Sequence, residues 1–370
     1  MSTVTYLALN VGRGHLMMAS MAHGLLGERG LKVQTYTLSE TAQRSYRFMT
    51  GAEAGLLSPW FRFSWKNYDL RVGRSVLLGL HYFLNPIGFS ADLRRLRRPL
   101  KASGAIVNDI HPVGLFLRFV PSEIRHRPVI HILSENSWLA LQDIVRSFGW
   151  PGACNRLVTI MDQIAFAVRH LIFNTLYPSR FFVTAGNVTY SPPLLRSLEP
   201  GIQSQRQELG LPASKRLFVA YLNPFFRDPK LILDLVEAGR ERDAHLCLVC
   251  EHMASQLPHL ASKDTTIVPY ELHARSHLVG ADLYISGAGL AAPMQAYVAG
   301  VPFLGLVSRQ PEHVKNAEMS ERAGIGRCLQ TGQDMGQTMD QALAMNATPH
   351  PQLVEATQER WIEIIQSSWS

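Results

Sequence analysis

Two short stretches of this 370-residue chain carry residue types that do chemistry where a strand hands over to a helix. Near the N-terminus, Gly12-Arg13-Gly14-His15 follows the apolar run Thr3–Asn10. Glycines at such a turn let the backbone bend tightly and approach a ligand, and the helix that follows offers N–H donors. The third glycine of a dinucleotide fingerprint is absent, Met17 standing in its place, so NAD has weak support. His15 would face the ligand at the mouth of the sheet, where an imidazole titrating near neutrality serves as a general base. A helix-capping or merely exposed histidine is the plainer alternative. Asp109 ends a later strand, Ala105–Asn108, and would meet His15 at the same sheet edge if the two strands pair. A carboxylate hydrogen-bonded to the imidazole orients it and stabilises its cation; capping the turn before Pro112 is the competing role. Glu135, after the strand Pro128–Leu133, is a weaker candidate for the same edge.

In the second half, Ala281–Leu290 (ADLYISGAGL) runs a strand into the turn Gly287-Ala288-Gly289. A helix of small and apolar residues follows, ending at Ala299-Gly300-Val301-Pro302, then a strand over Phe303–Val307. His245, Cys247, Cys250 and His252 have metal-ligating side chains, but in a strand Cys247 points away from both Cys250 and His252. A buried apolar strand is the better description of that segment.

These residues need elements to hold them. Short apolar strands alternate with helical stretches along the whole chain, which implies parallel sheets with helices on both faces. Strands are expected at Thr3–Asn10, Leu31–Leu38, Ala105–Asn108, Pro128–Leu133 and Leu171–Asn174. A second series is expected at Arg216–Leu222, His245–Cys250, Thr266–Val268, Leu283–Ile285 and Pro302–Val307. Between the series, Thr184–Pro200 (TAGNVTYSPPLLRSLEP) is rich in Pro, Ser and Gly and has the composition of a linker. The expected organisation is α/β with two Rossmann-like domains, 1–185 and 201–350, and a C-terminal helix over 351–370 packing back on the first.

The order of motifs in the second half resembles the donor-binding half of GT-B glycosyltransferases, where strand, glycine turn, helix and an AxGxP segment surround a nucleotide sugar. Glu312-His313-x-x-Asn316-Ala317 is similar to the family's DQxxNA segment, which contacts the hydroxyls of the donor sugar. Gly12-x-Gly14-His15 is similar to its GxGH turn, whose histidine is often the acceptor-side base. Arg206–Leu211 (RQELGL) looks like the entry to the second domain, and Ile106–Pro112 (IVNDIHP) with the insert before it resembles the lipid-glycosylating branch that includes diacylglycerol glucosyltransferases and MurG. The resemblance implies two Rossmann-like domains facing across a cleft and transfer of a sugar from a nucleotide diphosphate sugar, with a UDP-sugar as the expected co-substrate. It further implies inversion, His15 and Asp109 as catalytic residues, and donor contacts from Gly14, Asn223, Gly287, Ala288, Gly289, Gln295, Glu312, His313 and Asn316, without a metal. Departures stand beside these matches. Gln295 falls where a glutamate usually holds both ribose hydroxyls, Ala292 at a usual threonine, Gly287 at a usual histidine or arginine near phosphate, and His313 at the glutamine of DQ. A neutral amide offers one acceptor oxygen rather than two charged ones, so the ribose clamp should be weaker. Glycosylation of a soluble natural product, a sugar-nucleotide epimerase and a non-catalytic sugar-nucleotide binder are the rival functions.

Composition narrows the setting. With 46% hydrophobic and 18% charged residues the chain is neither disordered nor a membrane bundle. No apolar run reaches the ~18 residues of a spanning helix, and the N-terminus lacks the features of a signal peptide. Four scattered cysteines (Cys154, Cys247, Cys250, Cys328) make no disulfide frame, so a cytoplasmic location is expected. On the same ground the acceptor patterns at Asn187-Val188-Thr189 and Asn346-Ala347-Thr348 are chance matches. From Arg44 to Lys101 the chain carries 11 Lys or Arg against 3 acids, an excess above the +7 of the whole. Trp60, Phe61, Phe63, Trp65, Tyr68, Tyr82 and Phe83 interleave with them. That mixture suits an anionic membrane surface at the inner face, holding a hydrophobic or lipid-linked acceptor; a helical hairpin packing its aromatics inward is the alternative. No nucleic-acid-binding motif accompanies it.

Overall fold

A parallel strand covered by helices on both faces must be apolar almost throughout, and the chain meets that demand in two separate series. The computed structural model describes residues 3–9, 13–57, 65–66, 69–70, 86–109, 111, 113–114, 117, 126–146, 151–166, 170–195, 205–222, 229–250, 260–269, 278, 280–308, 310–330 and 332–369. Gly12, Asn223, His252 and most of the basic-aromatic insert lie outside these residues.

The first series supplies β1 (Thr3–Ala8), β2 (Lys32–Thr37) and β3 (Gly55–Leu56). Trp65–Lys66 (β4) and Asp69–Leu70 (β5) form a separate two-stranded ladder. The series continues with β6 (Ser103–Asp109), β7 (Val129–Ser134), β8 (His170–Asn174), β9 (Thr184–Ala185) and β10 (Val188–Ser191). The resulting sheet has the order β3-β2-β1-β6-β7-β8-β10-β9, parallel but for the β9–β10 pair. One face packs Val4, Tyr6, Val107, Ile132 and Ile172 against helix α1 (Arg13–Glu28) and a returning C-terminal helix. The other packs Leu7 and Ile106 against Leu96 and Leu100 of α3 (Pro86–Ala102), which follows α2 (Glu40–Thr50). Helices α4 (Glu135–Arg146) and α5 (Pro151–Phe166) follow β7.

After the short α6 (Gln205–Glu208), the second series forms β11 (Arg216–Leu222), β12 (Ala244–Cys250), β13 (Thr265–Pro269), β14 (Leu283–Gly287), β15 (Phe303–Leu306) and β16 (Gly326–Leu329). Their order is β13-β12-β11-β14-β15-β16, all parallel. Phe218, Leu246, Leu248 and Ile285 bury one face with Ile232 and Leu235 of α7 (Pro229–Glu241). Val219, Cys247 and Tyr284 bury the other with Ala296 of α8 (Ala291–Ala299). Helices α9 (Pro311–Arg322), α10 (Met335–Leu343) and α11 (Gln352–Ser367) complete the chain.

The chain divides into two units: Met1–Lys66, Leu70–Leu195 and Ala356–Ser370 in the first, Asn67–Asp69 and Arg196–Glu355 in the second. Trp361, Ile364 and Ile365 of α11 lie in the first unit's core, with Trp361 fully buried. The linker expected from Thr184 is corrected for its first part. Thr184–Ser191 is a hairpin, and Leu194 and Leu195 behind it are buried. Its Gly-Asn pair makes the turn, while Thr, Val and Tyr are strand formers, so residues with a linker's composition pair as strands. Cys247 faces the α8 side, and His245 bonds through Nε2 to Thr266 Oγ1 at 2.9 Å.

Gly300 closes α8 in the left-handed conformation (φ 67°), and a Cβ there would stand 2.6 Å from the backbone nitrogen of Pro349. Both the left-handed geometry and the backbone neighbour exclude a side chain. Gly300→Ala is expected to cost roughly 2–4 kcal/mol of unfolding free energy, the cost of strain and collision together. Urea titration with a wild-type midpoint would contradict it.

Candidate active site

In a parallel sheet whose strand order reverses about its first strand, the loops leaving two neighbouring strands turn to opposite faces and leave a crevice at their C-terminal ends. In the first sheet those strands are β1 and β6. β1 leads into the helix that carries His15, and β6 ends on Asp109, which pairs with Ala8. His15 Nδ1 and Asp109 Oδ1 are 2.8 Å apart, joining residues 94 positions apart in the chain. The Asp109 side chain is 1% exposed and that of His15 20%. With Nδ1–H given to the carboxylate, a neutral imidazole presents its lone pair at Nε2. Tyr6, two residues before Ala8 on the same face, donates its hydroxyl to Asp109 Oδ2 at 3.4 Å. Burial, and then the Asp109 charge, hold the Tyr6 phenol well above its ordinary pKa, so it stays a donor. The buried carboxylate thus has two side-chain donors, which burial of a charge requires. Tyr6 was not legible as a site residue, since a tyrosine in an apolar strand has the pattern of core.

The neighbouring position on β6 faces the other side. Asn108 Nδ2 lies 2.9 Å from His131 Nδ1 across to β7, and its carboxamide fills the space a side chain at Gly114 would take. His111 Nδ1 accepts from the Val113 N–H. Both rings are buried. Desolvation alone lowers His131 to about 4 and His111 to about 3, so both are neutral. Glu135, at the start of α4, pairs with Arg180, whose guanidinium lies 3.8 Å from the centre of the Tyr190 ring. It is held by this pair rather than by His15.

The second sheet reverses at β11 and β14, and the glycine turn leaves β14 there. Ala288 N–H bonds to Leu306 O at 3.0 Å and Gly289 N–H to Gly287 O at 2.7 Å. Those two donors are therefore spent within the protein, which corrects the expectation that the turn itself offers them to a ligand. The next donors belong to α8, whose N-cap, Leu290, supplies no capping side chain. Gln295 is half-buried one turn further on. The DQxxNA-like segment opens α9. Glu312 lies in its first turn, partly exposed. Asn316 is fully buried and donates Nδ2 to Ala288 O at 3.0 Å, so it braces the glycine turn from beneath. His313 is buried too, with Nδ1 2.9 Å from Ser308 Oγ. Burial lowers its pKa and Glu312 opposes the shift. Gly14 is exposed in the first turn of α1. The structure thus joins His15 to Asp109 within one unit, and Ala288, Gly289, His313 and Asn316 within the other.

No protein-family model and no curated protein sequence matches the chain. Solved structures do. The glycotransferase of kitacinnamycin superposes with a TM-score of 0.67 at 15% identity, over 100% of this chain and 99% of that one. LpCGTa, solved in complex with UDP, gives 0.64 at 15%, over 100% and 99%. MurG of Acinetobacter baumannii gives 0.59 at 15%, over 99% and 100%. The chain has the two-domain GT-B fold of nucleotide-sugar glycosyltransferases.

The neutral histidines give a pH signature. Their folded pKa values lie below the ~6.5 of an unfolded chain, so between about 6.5 and 4 the unfolded state binds more protons. Stability from these two groups is complete above pH 6.5 and falls with acidity, by up to ~1.4 kcal/mol per pH unit for each ring. Denaturant titrations at pH 7, 5.5 and 4.5 should show this slope, reduced in His131→Gln; equal slopes would mean that His131 is charged in the fold.

Proposed function

We propose that the protein is a glycosyltransferase moving a sugar from a nucleotide diphosphate sugar to an acceptor hydroxyl, with inversion and without a metal. The observation that carries this reading is the His15–Asp109 hydrogen bond at the reversal point of a GT-B sheet. In the reading, His15 Nε2 removes the acceptor proton as its oxygen attacks the anomeric carbon, and Asp109 stabilises the imidazolium that forms. The bond to the nucleoside diphosphate breaks as the new glycosidic bond forms on the opposite face. The leaving diphosphate takes its stabilisation from the N-terminal N–H groups of α8, which have no competing side-chain cap. Asn316 keeps the turn before that helix in place, Gln295 meets the ribose, and Glu312 meets the sugar. Asn223, after β11, and Gly14, which lets the acceptor approach α1, complete the expected set. UDP in the complex of LpCGTa supports a UDP-sugar as donor.

For the acceptor, the reading favours a hydrophobic or lipid-linked molecule met at the inner face of an anionic membrane. Arg94, Arg95, Arg97 and Arg98 of α3 are all exposed, while Leu96 and Leu100 of the same helix are buried. A helix so oriented directs four cations outward, each worth about 1 kcal/mol near an anionic surface. No helix among the described residues is long and apolar enough to cross a membrane. A soluble natural product is the competing acceptor, supported by the similarity to the kitacinnamycin enzyme. A non-catalytic sugar-nucleotide binder is the reading that Gln295, in place of the usual glutamate, favours. Donor hydrolysis measured without acceptor separates it from an enzyme.

Two measurements test the proposal. His15→Ala is expected to bind donor normally and to slow transfer ~10²–10⁴-fold, the scale of a general base; unchanged turnover at saturating substrates removes His15 from the mechanism. Co-sedimentation should show binding to vesicles containing phosphatidylglycerol but not to neutral vesicles. That binding should weaken with salt and with neutralisation of the four α3 arginines, whereas indifference to lipid charge selects the soluble acceptor.

A further inference from the structure

A buried carboxylate is a strong or a weak partner for an imidazole according to what else shares its charge. The Asp109 side chain is 1% exposed and divides its two oxygens between two donors. His15 Nδ1 lies 2.8 Å from Oδ1, and the Tyr6 hydroxyl lies 3.4 Å from Oδ2. Tyr6 is fully buried. Among the described residues its hydroxyl has no other hydrogen-bond partner, and Oδ2 has no other donor. The sheet makes this contact: Tyr6 pairs in register with Val107, which sets its side chain beside Asp109, two residues on along the same face of β6. A phenylalanine would fill the same space without an O–H that needs a partner. The hydroxyl has one use, the far oxygen of the carboxylate that holds His15.

We propose that Tyr6 is a positioning residue for the transfer reaction: from Oδ2 it fixes the plane of the Asp109 carboxylate and takes a share of its charge, which keeps His15 unprotonated and ready for the acceptor's proton. This rests on the reading of His15 as the base. With both oxygens held, the carboxylate does not turn about its Cβ–Cγ bond, and Oδ1 stays in line with the Nδ1–H. Charge sharing acts in the same direction. A carboxylate with no donor but His15 would attract the imidazolium strongly, and the pair would hold a proton that no acceptor had delivered. With Tyr6 donating, the unprotonated pair keeps its negative charge at lower cost. Its proton then comes from the acceptor oxygen as that oxygen attacks. Tyr6 itself moves no proton, since burial and then the Asp109 charge hold its phenol well above the ordinary range.

Among the described residues that pack on this face, α1 brings His15 and His23, and α2 brings Tyr46. The Tyr46 hydroxyl lies 2.7 Å from Thr35 Oγ1 and 2.9 Å from His23 Nδ1, so it is engaged away from Asp109. β7, β8 and α11 meet the face with Ile132, Ile172 and Trp361, and the α11 acids Glu355, Glu359 and Glu363 are exposed. Tyr46 is therefore a matched control, a buried phenol in the same core that does not touch the carboxylate.

Titration of the histidine Cε1–H NMR signals of the full chain, with His15 assigned from the signal lost in His15→Gln, tests this without any substrate. Tyr6→Phe should raise the pH at which His15 titrates by about half a unit to one unit, a change of about three- to tenfold in proton affinity. Tyr46→Phe should leave that midpoint where it is in wild type. Wild type and Tyr6→Phe differ by one oxygen atom, so whatever else touches His15 is common to both. A midpoint unchanged or lowered in Tyr6→Phe, or raised equally in Tyr46→Phe, overturns the role of Tyr6. Should Tyr6→Phe fail to fold, 3-fluorotyrosine installed at position 6, a more acidic phenol and a stronger donor, should lower the midpoint instead, and no movement overturns the proposal. The titration uses neither donor nor acceptor, so its failure leaves the transferase reading standing, and that reading's account of His15 falls separately, on unchanged turnover in His15→Ala.

Discussion

Everything chemical in this molecule depends on where two parallel sheets reverse their strand order. In each, the first strand of the series lies in the middle, with the second and third on one side and the later strands on the other. Loops leaving the two central strands must turn to opposite faces, so the sheet's C-terminal edge opens between them. His15 and Asp109 stand at that point in the first unit, and the glycine turn stands there in the second. Neither constellation needs a special backbone of its own. Each uses a space that right-handed strand–helix–strand connections create wherever the order reverses.

Such an edge places polar groups at the boundary of a dry core, where a buried charge or amide needs a partner. Asp109 is buried as a carboxylate because His15 and Tyr6 both point donors at it. Asn316, buried in the second unit, meets the carbonyl of Ala288. His111 and His131 are balanced differently, by remaining neutral. A buried charge without partners would cost several kcal/mol, a large part of a typical folding free energy. Asp109 and Asn316 are thus each oriented by the groups that meet them.

Similarity to solved glycosyltransferases at 15% identity over nearly the full length has the same physical basis. What the fold asks of most positions is an apolar side chain of fitting size, a demand that many residues meet. It asks more at a few places, such as Gly300, where backbone of the following segment passes within contact distance.

The α/β architecture, the central strands of both series and the meeting of His15 with Asp109 were legible in the amino-acid order, whereas β3, β9, β10 and β16 were not. Each rests on a local pattern: apolar runs of strand length, glycines at strand ends, a histidine opening the helix after one strand and an aspartate closing another. Local patterns survive because backbone sterics and hydrophobic periodicity act over a few residues. Only the tertiary structure decided which way the polar side chains of the second unit point. Asn316 has the spacing of a sugar contact but is turned inward to Ala288. His313 faces the glycine turn because Ser308, outside its helix, fixes one ring nitrogen. Tyr6 became a partner of Asp109 only through pairing of strands that lie far apart in the chain. The hairpin at Thr184–Ser191 likewise exists because β8 offers its free edge to residues whose composition alone describes a linker. Hydrogen-bond partners of that kind are set by which distant backbones come to lie side by side, and no local pattern encodes it.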